Sequence, residues 1–161
     1  MKNDSTYSVS LLQAKEEDTP LVQQMQQAAF AALLERYQDH DMSPATETLE
    51  KIRWKITQPG SYYYFILASG QTVGAIRILN LNDGSRKRIS PLYILPEHQG
   101  KGYAQAAMLE AERIHGANYW HLDTILQEAG NCHLYEKMGY HQTGKQTMIK
   151  ENMTIVDYEK D

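Results

Sequence analysis

The sequence predicts a mixed α/β fold in which helices interrupt one largely antiparallel sheet. Two helical segments follow a single opening strand, three strands joined by short turns come next, and helices then alternate with strands. The predicted order is β-α-α-β-β-β-α-β-α-β-β. At 161 residues, of which 42% are hydrophobic and 22% charged, the chain is expected to form one domain over residues 1–161.

The N-terminal third predicts one strand and two helices. The stretch YSVSLLQA (residues 7–14) has the composition of a strand. Thr19 is the expected cap of the first helix, Pro20 its first helical residue, and apolar residues at helical spacing continue to about Tyr37. A second helix is predicted over residues 43–57, with Ser43 as its cap.

The middle of the chain predicts three consecutive strands. Residues 61–68 and 71–79 are rich in aromatic and β-branched residues, and Ser69-Gly70 between them is typical of a hairpin turn. The third strand covers residues 85–95. Because Pro91 lacks an amide hydrogen, we expect a bulge or a splayed edge at that position.

The C-terminal half alternates between helices and strands. A stripe of small and apolar residues predicts a helix that Gly116 ends. The remaining predicted elements are a strand at 119–127, a short helix at 130–139, and two final strands at 140–148 and 153–159.

Charge and composition exclude several functions. The net charge of −4 argues against a nucleic-acid partner, which usually requires a basic face. The single cysteine, Cys132, cannot form an internal disulfide, so a cytoplasmic location is expected. Residues 1–10 lack the apolar core of a leader, and no apolar run reaches the length of a membrane span. The histidine spacing predicts no metal site.

A glycine-containing loop between a predicted strand and a predicted helix is the strongest candidate for an anion site. Backbone amides near Gly100 and Gly102, together with the helix N-terminus, could hold a phosphate. Two common phosphate loops do not match. The Walker pattern fails because Leu95 stands where its first glycine is required, and the dinucleotide pattern GxGxxG fails at Gln105.

The pattern that does match is [QR]-x-x-G-x-[GA], at Gln99, Gly102 and Ala104. Downstream, LYEKMGY (residues 134–140) is similar to the segment LYxxxG[FY]. In this order and spacing, the two motifs resemble those of the GNAT superfamily of acetyl-CoA-dependent N-acetyltransferases. The resemblance implies a single sheet splayed at its centre, acetyl-CoA as co-substrate and no metal.

The resemblance also implies a role for individual residues. The amides of the loop would bind the pyrophosphate of coenzyme A, the preceding strand would pair with the pantetheine arm, and the amide near Ile94 would polarise the thioester carbonyl. Tyr135 would lie near the sulfur and protonate the departing thiolate. The implied cofactor-binding residues are Leu92, Tyr93, Ile94, Gln99, Gly100, Lys101, Gly102, Tyr103, Ala104, Asn131 and Tyr135.

Two departures from the family pattern leave alternatives open. Glu128 stands where many members have an asparagine that contacts the pantetheine, and Asn131 follows one turn later, either as a helix cap or as a cofactor contact. The strand also lacks the carboxylate that some members use as general base. An ordered water, Glu128, Asp123 or His121 would then accept the amine proton. Tyr135 could instead be a core residue packed under Tyr140.

The acceptor is expected to be a small-molecule or peptide primary amine that attacks the thioester directly. The acidic stretch Asp39–Asp41 lies between the two predicted N-terminal helices, where it would suit a cationic amine or simply face solvent. The alternatives are a catalytically silent acyl-CoA sensor and a protein N-acetyltransferase. Exposed strand edges make a homodimer a further hypothesis.

Overall fold

A computed structural model describes residues 8–161, so Tyr7, in the predicted opening strand, lies outside the described residues. The predicted order of strands and helices is confirmed, with short 3-10 turns added between some elements. In chain order the elements are β1 (Ser10–Gln13), α1 (Thr19–Tyr37), α2 (Leu49–Thr57), β2 (Ser61–Ala68), β3 (Gln71–Leu79), β4 (Lys87–Ile94), α3 (Tyr103–His115), β5 (Trp120–Ile125), α4 (Ala129–Lys137), β6 (His141–Lys150) and β7 (Met153–Lys160).

The seven strands form one sheet in the order β1-β2-β3-β4-β5-β7-β6. Every neighbouring pair is antiparallel except β4 and β5, which run parallel. These two strands pair only where Lys87 faces Trp120 and Arg88 faces His121, and they separate beyond that point. The predicted mixed sheet with a splayed centre is therefore confirmed.

Helices cover both faces of the sheet. The first two helices pack on one face, where Tyr63 and Phe65 of β2 join a cluster with Val22 of α1 and Ile52 of α2. On the other face, Tyr64 belongs to the cluster that includes α3 and α4. Because both faces of β2 are buried, its sequence is apolar throughout rather than alternating.

The start of α1 differs from the prediction at Thr19. Asp18 holds the cap position and Thr19 is already helical. The Thr19 hydroxyl donates to the carbonyl of Glu16 at 2.6 Å, so it does not act as the predicted acceptor for a free helix amide. A preceding 3-10 turn supplies that carbonyl and starts the helix one residue early.

The prediction of one continuous helix over residues 43–57 is wrong. Ser43 does act as a cap, but of a 3-10 turn, in which its hydroxyl accepts from the amide of Ala45 at 3.0 Å. The chain extends again at Glu47 (ψ 139°). Thr48 then caps α2 by accepting from the amide of Lys51 at 3.1 Å.

Burial of Glu47 explains this break. Its carboxylate accepts from Lys55 Nζ at 2.6 Å and from Gln26 Nε2 at 3.0 Å, beneath the two N-terminal helices. Gln26 in turn accepts from the Tyr63 hydroxyl at 2.6 Å, and Tyr63 is 2.9 Å from the Tyr93 hydroxyl. A chain of buried polar groups thus joins both helices to β2 and β4, and none is left without a partner.

The bulge expected at Pro91 is confirmed. The pairing of β3 with β4 slips so that Arg77 faces both Ser90 and Pro91. The Arg77 side chain is buried, and it donates to Ser61 Oγ at 2.8 Å and to the carbonyl of Ser90 at 3.0 Å. The guanidinium therefore satisfies a carbonyl that the bulge releases from the regular ladder.

Gly74 of β3 provides a test of how closely β3 and β4 approach. A Cβ there would lie 2.2 Å from the carbonyl oxygen of Tyr93 and 2.9 Å from Cα of Ile94. Because both atoms are backbone, we expect Gly74→Ala to lower the free energy of unfolding by about 1–3 kcal/mol, measured by urea denaturation. Gly130→Ala is the matched control, since a Cβ at that helical position meets open space. Equal stability of the two variants would contradict the close approach.

Candidate active site

The loop between β4 and α3 has the backbone expected for an anion site. Gly100 (φ 79°) and Gly102 (φ 82°) both take left-handed conformations, which residues with a Cβ adopt only with strain. Gly102 also holds the cap position of the thirteen-residue helix α3, and no side chain caps that helix. The first amides of α3 therefore remain available to an external acceptor.

Gln99 attaches this loop to the end of β4. Its side-chain Nε2 donates to the carbonyl of Ile94 at 3.1 Å. The side chain thus contacts protein main chain, and the loop is held at the point where β4 leaves the sheet. Gln99 therefore positions the loop with its side chain, while its backbone belongs to the glycine-containing turn.

The edge of β4 that faces the gap carries unpaired backbone groups. Leu95 donates to the carbonyl of Val73 on β3 at 2.8 Å. Since hydrogen-bonding direction alternates along an antiparallel strand, Tyr93 also faces β3, whereas the amides of Leu92 and Ile94 face the gap towards β5. Of the three residues predicted to pair with the pantetheine arm, Tyr93 therefore has its amide turned away.

A cavity of 460 Å³, here called the β4 cleft, occupies the gap. All but one of the residues predicted to bind the cofactor line it, and so does Glu128. They are Leu92, Tyr93, Ile94, Gln99, Gly100, Gly102, Tyr103, Ala104, Glu128, Asn131 and Tyr135. The exception is Lys101, which lines a neighbouring cavity together with Arg113 and Lys137.

A smaller cavity of 200 Å³, here called the side cavity, lies against the β4 cleft. Residues after α1, the β4 bulge and β5 line it, among them Asp39, Pro91 and Asp123. The residues common to both cavities are Phe30, Leu33, Leu92, Asn131 and Tyr135. The two cavities therefore adjoin along these residues, and Tyr135 is one of them.

Tyr135 is both a core residue and a cavity residue. Its ring packs edge-on against Tyr140 and Tyr158, with centroids 6.3 and 6.1 Å away, and its side chain still lines both cavities. Burial raises the pKa of the Tyr135 phenol above its usual value. The phenol thus keeps its proton at neutral and alkaline pH and can serve as an acid.

Comparison with known families assigns the fold and the glycine-containing loop to the same family. The family model for the acetyltransferase (GNAT) family matches residues 22–140. This chain is a member of the GNAT family. The match covers the glycine-containing loop and α4, so the elements that form the β4 cleft are those of a GNAT domain.

Individual relatives are distant in sequence. The uncharacterized protein YrkN of Bacillus subtilis is 28% identical over 144 residues, covering 88% of this chain and 77% of YrkN. A chimera of the spermidine N-acetyltransferase SpeG of Vibrio cholerae and hSSAT has a TM-score of 0.73 at 16% identity, over 95% of each chain. The PaiA N-acetyltransferase of Thermoplasma acidophilum, solved with coenzyme A, has a TM-score of 0.64 at 18% identity, over 96% of this chain and 99% of that one. These structures show the shared GNAT fold.

Asn131 does not cap α4, which removes one of the two roles expected for it in this GNAT domain. Glu128 holds the cap position, and Asn131 lies in the first turn of the helix. The Asn131 side chain instead lines both cavities. Its position favours the second expected role, contact with a ligand in the β4 cleft.

Glu128 joins α4 to the end of α1 across the β4 cleft. Its Oε2 accepts from Arg36 Nη1 and from the Tyr37 hydroxyl, each at 2.5 Å. Burial and the bond to Glu128 raise the pKa of Tyr37. Lys150 of β6 donates to the carbonyls of Tyr37 and of the next residue, at 2.6 and 2.7 Å. Hydrogen bonds to Glu128, at the start of α4, and from Lys150, on β6, thus hold the end of α1 against the C-terminal half of the GNAT domain.

His121 and Asp123, the two other candidate bases, share one ion-paired cluster on β5. Arg88 bonds His121 Nδ1 and Asp123 Oδ2, each at 3.0 Å. His121 Nε2 is 3.1 Å from Asp157 Oδ2. Only Asp123 lines the side cavity, so it is the candidate with access to a ligand there.

The catalytic and cofactor-binding residues predicted from the sequence include none of α1. Ala29, Phe30, Leu33 and Arg36 line the β4 cleft. Their spacing is that of an ordinary amphipathic helix, so no local signal separates these positions from core positions. The proximity of α1 to β4, with the Phe30 ring 5.4 Å from that of Tyr93, is a tertiary contact.

Residues 8–161 contain neither a metal-binding cluster nor a membrane-spanning helix. The described residues contain no group of three or more His, Cys, Asp or Glu side chains arranged to hold a metal ion. Their helices also include none with the length and apolar character required to cross a membrane.

The tyrosine cluster allows a stability prediction. The Tyr140 hydroxyl is buried and has no hydrogen-bond partner among the described residues, whereas the Tyr158 hydroxyl donates to Glu136 at 2.8 Å and accepts from Gln142 at 3.1 Å. We expect Tyr140→Phe to leave the free energy of unfolding unchanged or raise it by up to about 1 kcal/mol, and Tyr158→Phe to lower it by about 1–2 kcal/mol. Chemical denaturation measures both. A loss in Tyr140→Phe as large as that in Tyr158→Phe would contradict the assignment.

Proposed function

We propose that this chain transfers the acetyl group of acetyl-CoA to a primary amine, with Tyr135 as the general acid. The observation that carries the proposal is the meeting of two cavities at Tyr135. One cavity begins at a loop suited to a pyrophosphate, and the other opens beside the splayed strands. The acetyl donor and the amine would therefore reach the same residue from two adjoining cavities.

The loop supplies the anion contacts for the donor. Left-handed Gly100 and Gly102 expose successive amides, and the uncapped start of α3 adds its dipole. We assign the pyrophosphate of coenzyme A to the amides from Gln99 to Ala104. Lys101 contributes its amide, since its side chain lies in the neighbouring cavity.

The free edge of β4 supplies the contacts for the pantetheine arm. The amides of Leu92 and Ile94 face the gap, and an extended ligand could pair with them as an additional strand. The Ile94 amide is the donor that we assign to the thioester carbonyl. In the transition state that oxygen gains negative charge, and a fixed amide stabilises it.

The transfer requires one bond to form, one to break and two protons to move. The amine nitrogen bonds to the acetyl carbon, and the carbon–sulfur bond breaks. The amine proton passes to a base, and the Tyr135 phenol gives its proton to the thiolate. The burial that raises the pKa of Tyr135 would also raise that of a thiolate formed beside it, so the two groups remain matched for proton transfer.

Asp123 is the base that we propose, acting through a water molecule. It lines the side cavity, where the amine would enter. Glu128 is the alternative, but its Oε2 already accepts two hydrogen bonds from α1 and its side chain lines the β4 cleft. We therefore assign Glu128 to holding α1 against α4.

Release of free thiol from acetyl-CoA tests the reaction. The purified chain is incubated with acetyl-CoA and a panel of primary amines that includes small molecules and peptides. Amine-dependent thiol release supports the proposal, and release with peptides alone indicates a protein acetyltransferase. If acetyl-CoA binds but no amine releases thiol, the chain is an acyl-CoA-binding module and the catalytic assignment is wrong.

Substitution of Gly102 tests the assignment of the loop as the pyrophosphate site. Leucine at φ 82° is strained and places a side chain at the anion site, so we expect Gly102→Leu to weaken acetyl-CoA binding by at least about tenfold, by calorimetry. Gly84→Leu is the matched control, because Gly84 has φ 91° in the turn before β4 with open space around it. Equal affinities in the two variants would remove the loop from the donor site.

Substitution of Tyr135 tests its assignment as the general acid. We expect Tyr135→Phe to lower kcat by about 10²-fold or more with little change in acetyl-CoA affinity, while Tyr140→Phe keeps the wild-type kcat. Because burial raises the pKa of Tyr135, the wild-type rate should not decline with rising pH up to the ordinary tyrosine value of about 10. Steady-state kinetics across pH measure this. A normal rate in Tyr135→Phe would exclude Tyr135 from the mechanism.

A further inference from the structure

The side cavity combines apolar walls with two carboxylates. Phe30, Met42 and Pro91 are among the apolar residues that line it, and Asp39 and Asp123 are its acidic residues. Asp123 lies on β5, and Asp39 lies in the loop that follows α1. The cavity thus offers methylene groups a dry surface and offers cations two acceptors.

The two carboxylates differ in how their charge is balanced. Asp123 Oδ2 is paired with Arg88 at 3.0 Å. Asp39 Oδ1 is buried from solvent, and no described residue donates a hydrogen bond to it. Such a buried acceptor is unfavourable unless a donor reaches it. Of the two carboxylates in the cavity, Asp39 is therefore the one without an ion-pair or hydrogen-bond partner among the described residues.

Neighbouring cations do not supply that partner. Arg36 pairs with Glu128 at 2.5 Å. Lys150 donates to the carbonyls of Tyr37 and Gln38, immediately before Asp39, rather than to the carboxylate. Both side chains are therefore engaged elsewhere in the same region, so a donor for Asp39 Oδ1 has to come from outside the described residues, either as water or as a group on a ligand.

From these contacts we infer that the acceptor carries two amino groups, one at Tyr135 that is acetylated and a second, cationic one held by Asp39. The inference rests on the proposed acetyl transfer. The attacking nitrogen must be uncharged when it meets the thioester, so it is not the cation that Asp39 would hold. A ligand that pairs with this carboxylate while a neutral amine attacks therefore carries a second, charged amino group.

The side cavity has a volume of 200 Å³, less than half that of the β4 cleft, which favours a short acceptor chain. That space suits a linear alkyl diamine, whose methylene groups would lie against Phe30, Met42 and Pro91. A peptide N-terminus would bring a backbone and side chains of larger volume into the same space.

Kinetics with matched amines test the inference. Acetyl transfer to diaminopropane, diaminobutane and diaminopentane is compared with transfer to the monoamines of equal carbon number. We expect kcat/KM for the best diamine to exceed that of its monoamine at least tenfold. Asp39→Asn should remove most of this preference through a higher KM for the diamine.

Two controls separate ligand binding from structure. Asp41→Asn changes an exposed carboxylate on the same loop and should keep the diamine preference. Asp39→Asn should also be at least as stable to urea as the wild type, because Asp39 Oδ1 bonds no described residue. Loss of stability would mean that Asp39 has a structural role and would overturn the inference.

Direct binding distinguishes failure of the inference from failure of the proposed function. Calorimetry measures binding of diaminobutane to the chain saturated with coenzyme A, for the wild type and Asp39→Asn. If the wild type binds diaminobutane and Asp39→Asn does not, the cation site is supported, even if no thiol is released in the assay. Equal binding in both proteins, or equal kcat/KM for diamines and monoamines, overturns it.

Discussion

The separation of β4 from β5 beyond Arg88 is the feature on which the rest of the site depends. A sheet normally pairs the backbone groups of each interior strand, and here Leu92 and Ile94 lack that partner. Arg77 stabilises the break, since its buried guanidinium binds the carbonyl of Ser90 in the bulge. In the proposed function, an extended ligand would form hydrogen bonds with this unpaired edge.

Helix α1 converts this gap into two cavities. Phe30 and Leu33 line both of them, so the helix forms a common wall beside the splayed strands. Its end is held by Glu128 on one side and by Lys150 on the other. The buried chain from Gln26 to Tyr93 fixes its middle over the sheet. Positioning of the two ligands therefore depends on the same helix.

Most carboxylates around the site form an ion pair with a side chain among residues 8–161, and one does not. Glu47 is paired with Lys55, Glu128 with Arg36, and Asp123 with Arg88. Each pair joins two different elements and fixes their relative position. Asp39 forms no such pair with a described residue. These pairs hold neighbouring segments in place, whereas the unbalanced carboxylate of Asp39 is the group to which we assign a cationic ligand.

Local signals were sufficient for the strands and for the glycine-containing loop. The aromatic and β-branched content of β2 and β3 predicted their bounds. The loop was evident from its glycines, and Gly100 and Gly102 take φ angles that glycine adopts without strain. Contacts between distant segments decided the rest. Burial of Glu47 beneath two helices broke the predicted helix over residues 43–57. The sequence by itself determined the elements and the loop, because backbone conformation and periodicity are properties of neighbouring residues. Only the tertiary structure decided which walls enclose the two cavities and which carboxylates lack a partner, because burial and ion pairing join residues far apart in the chain.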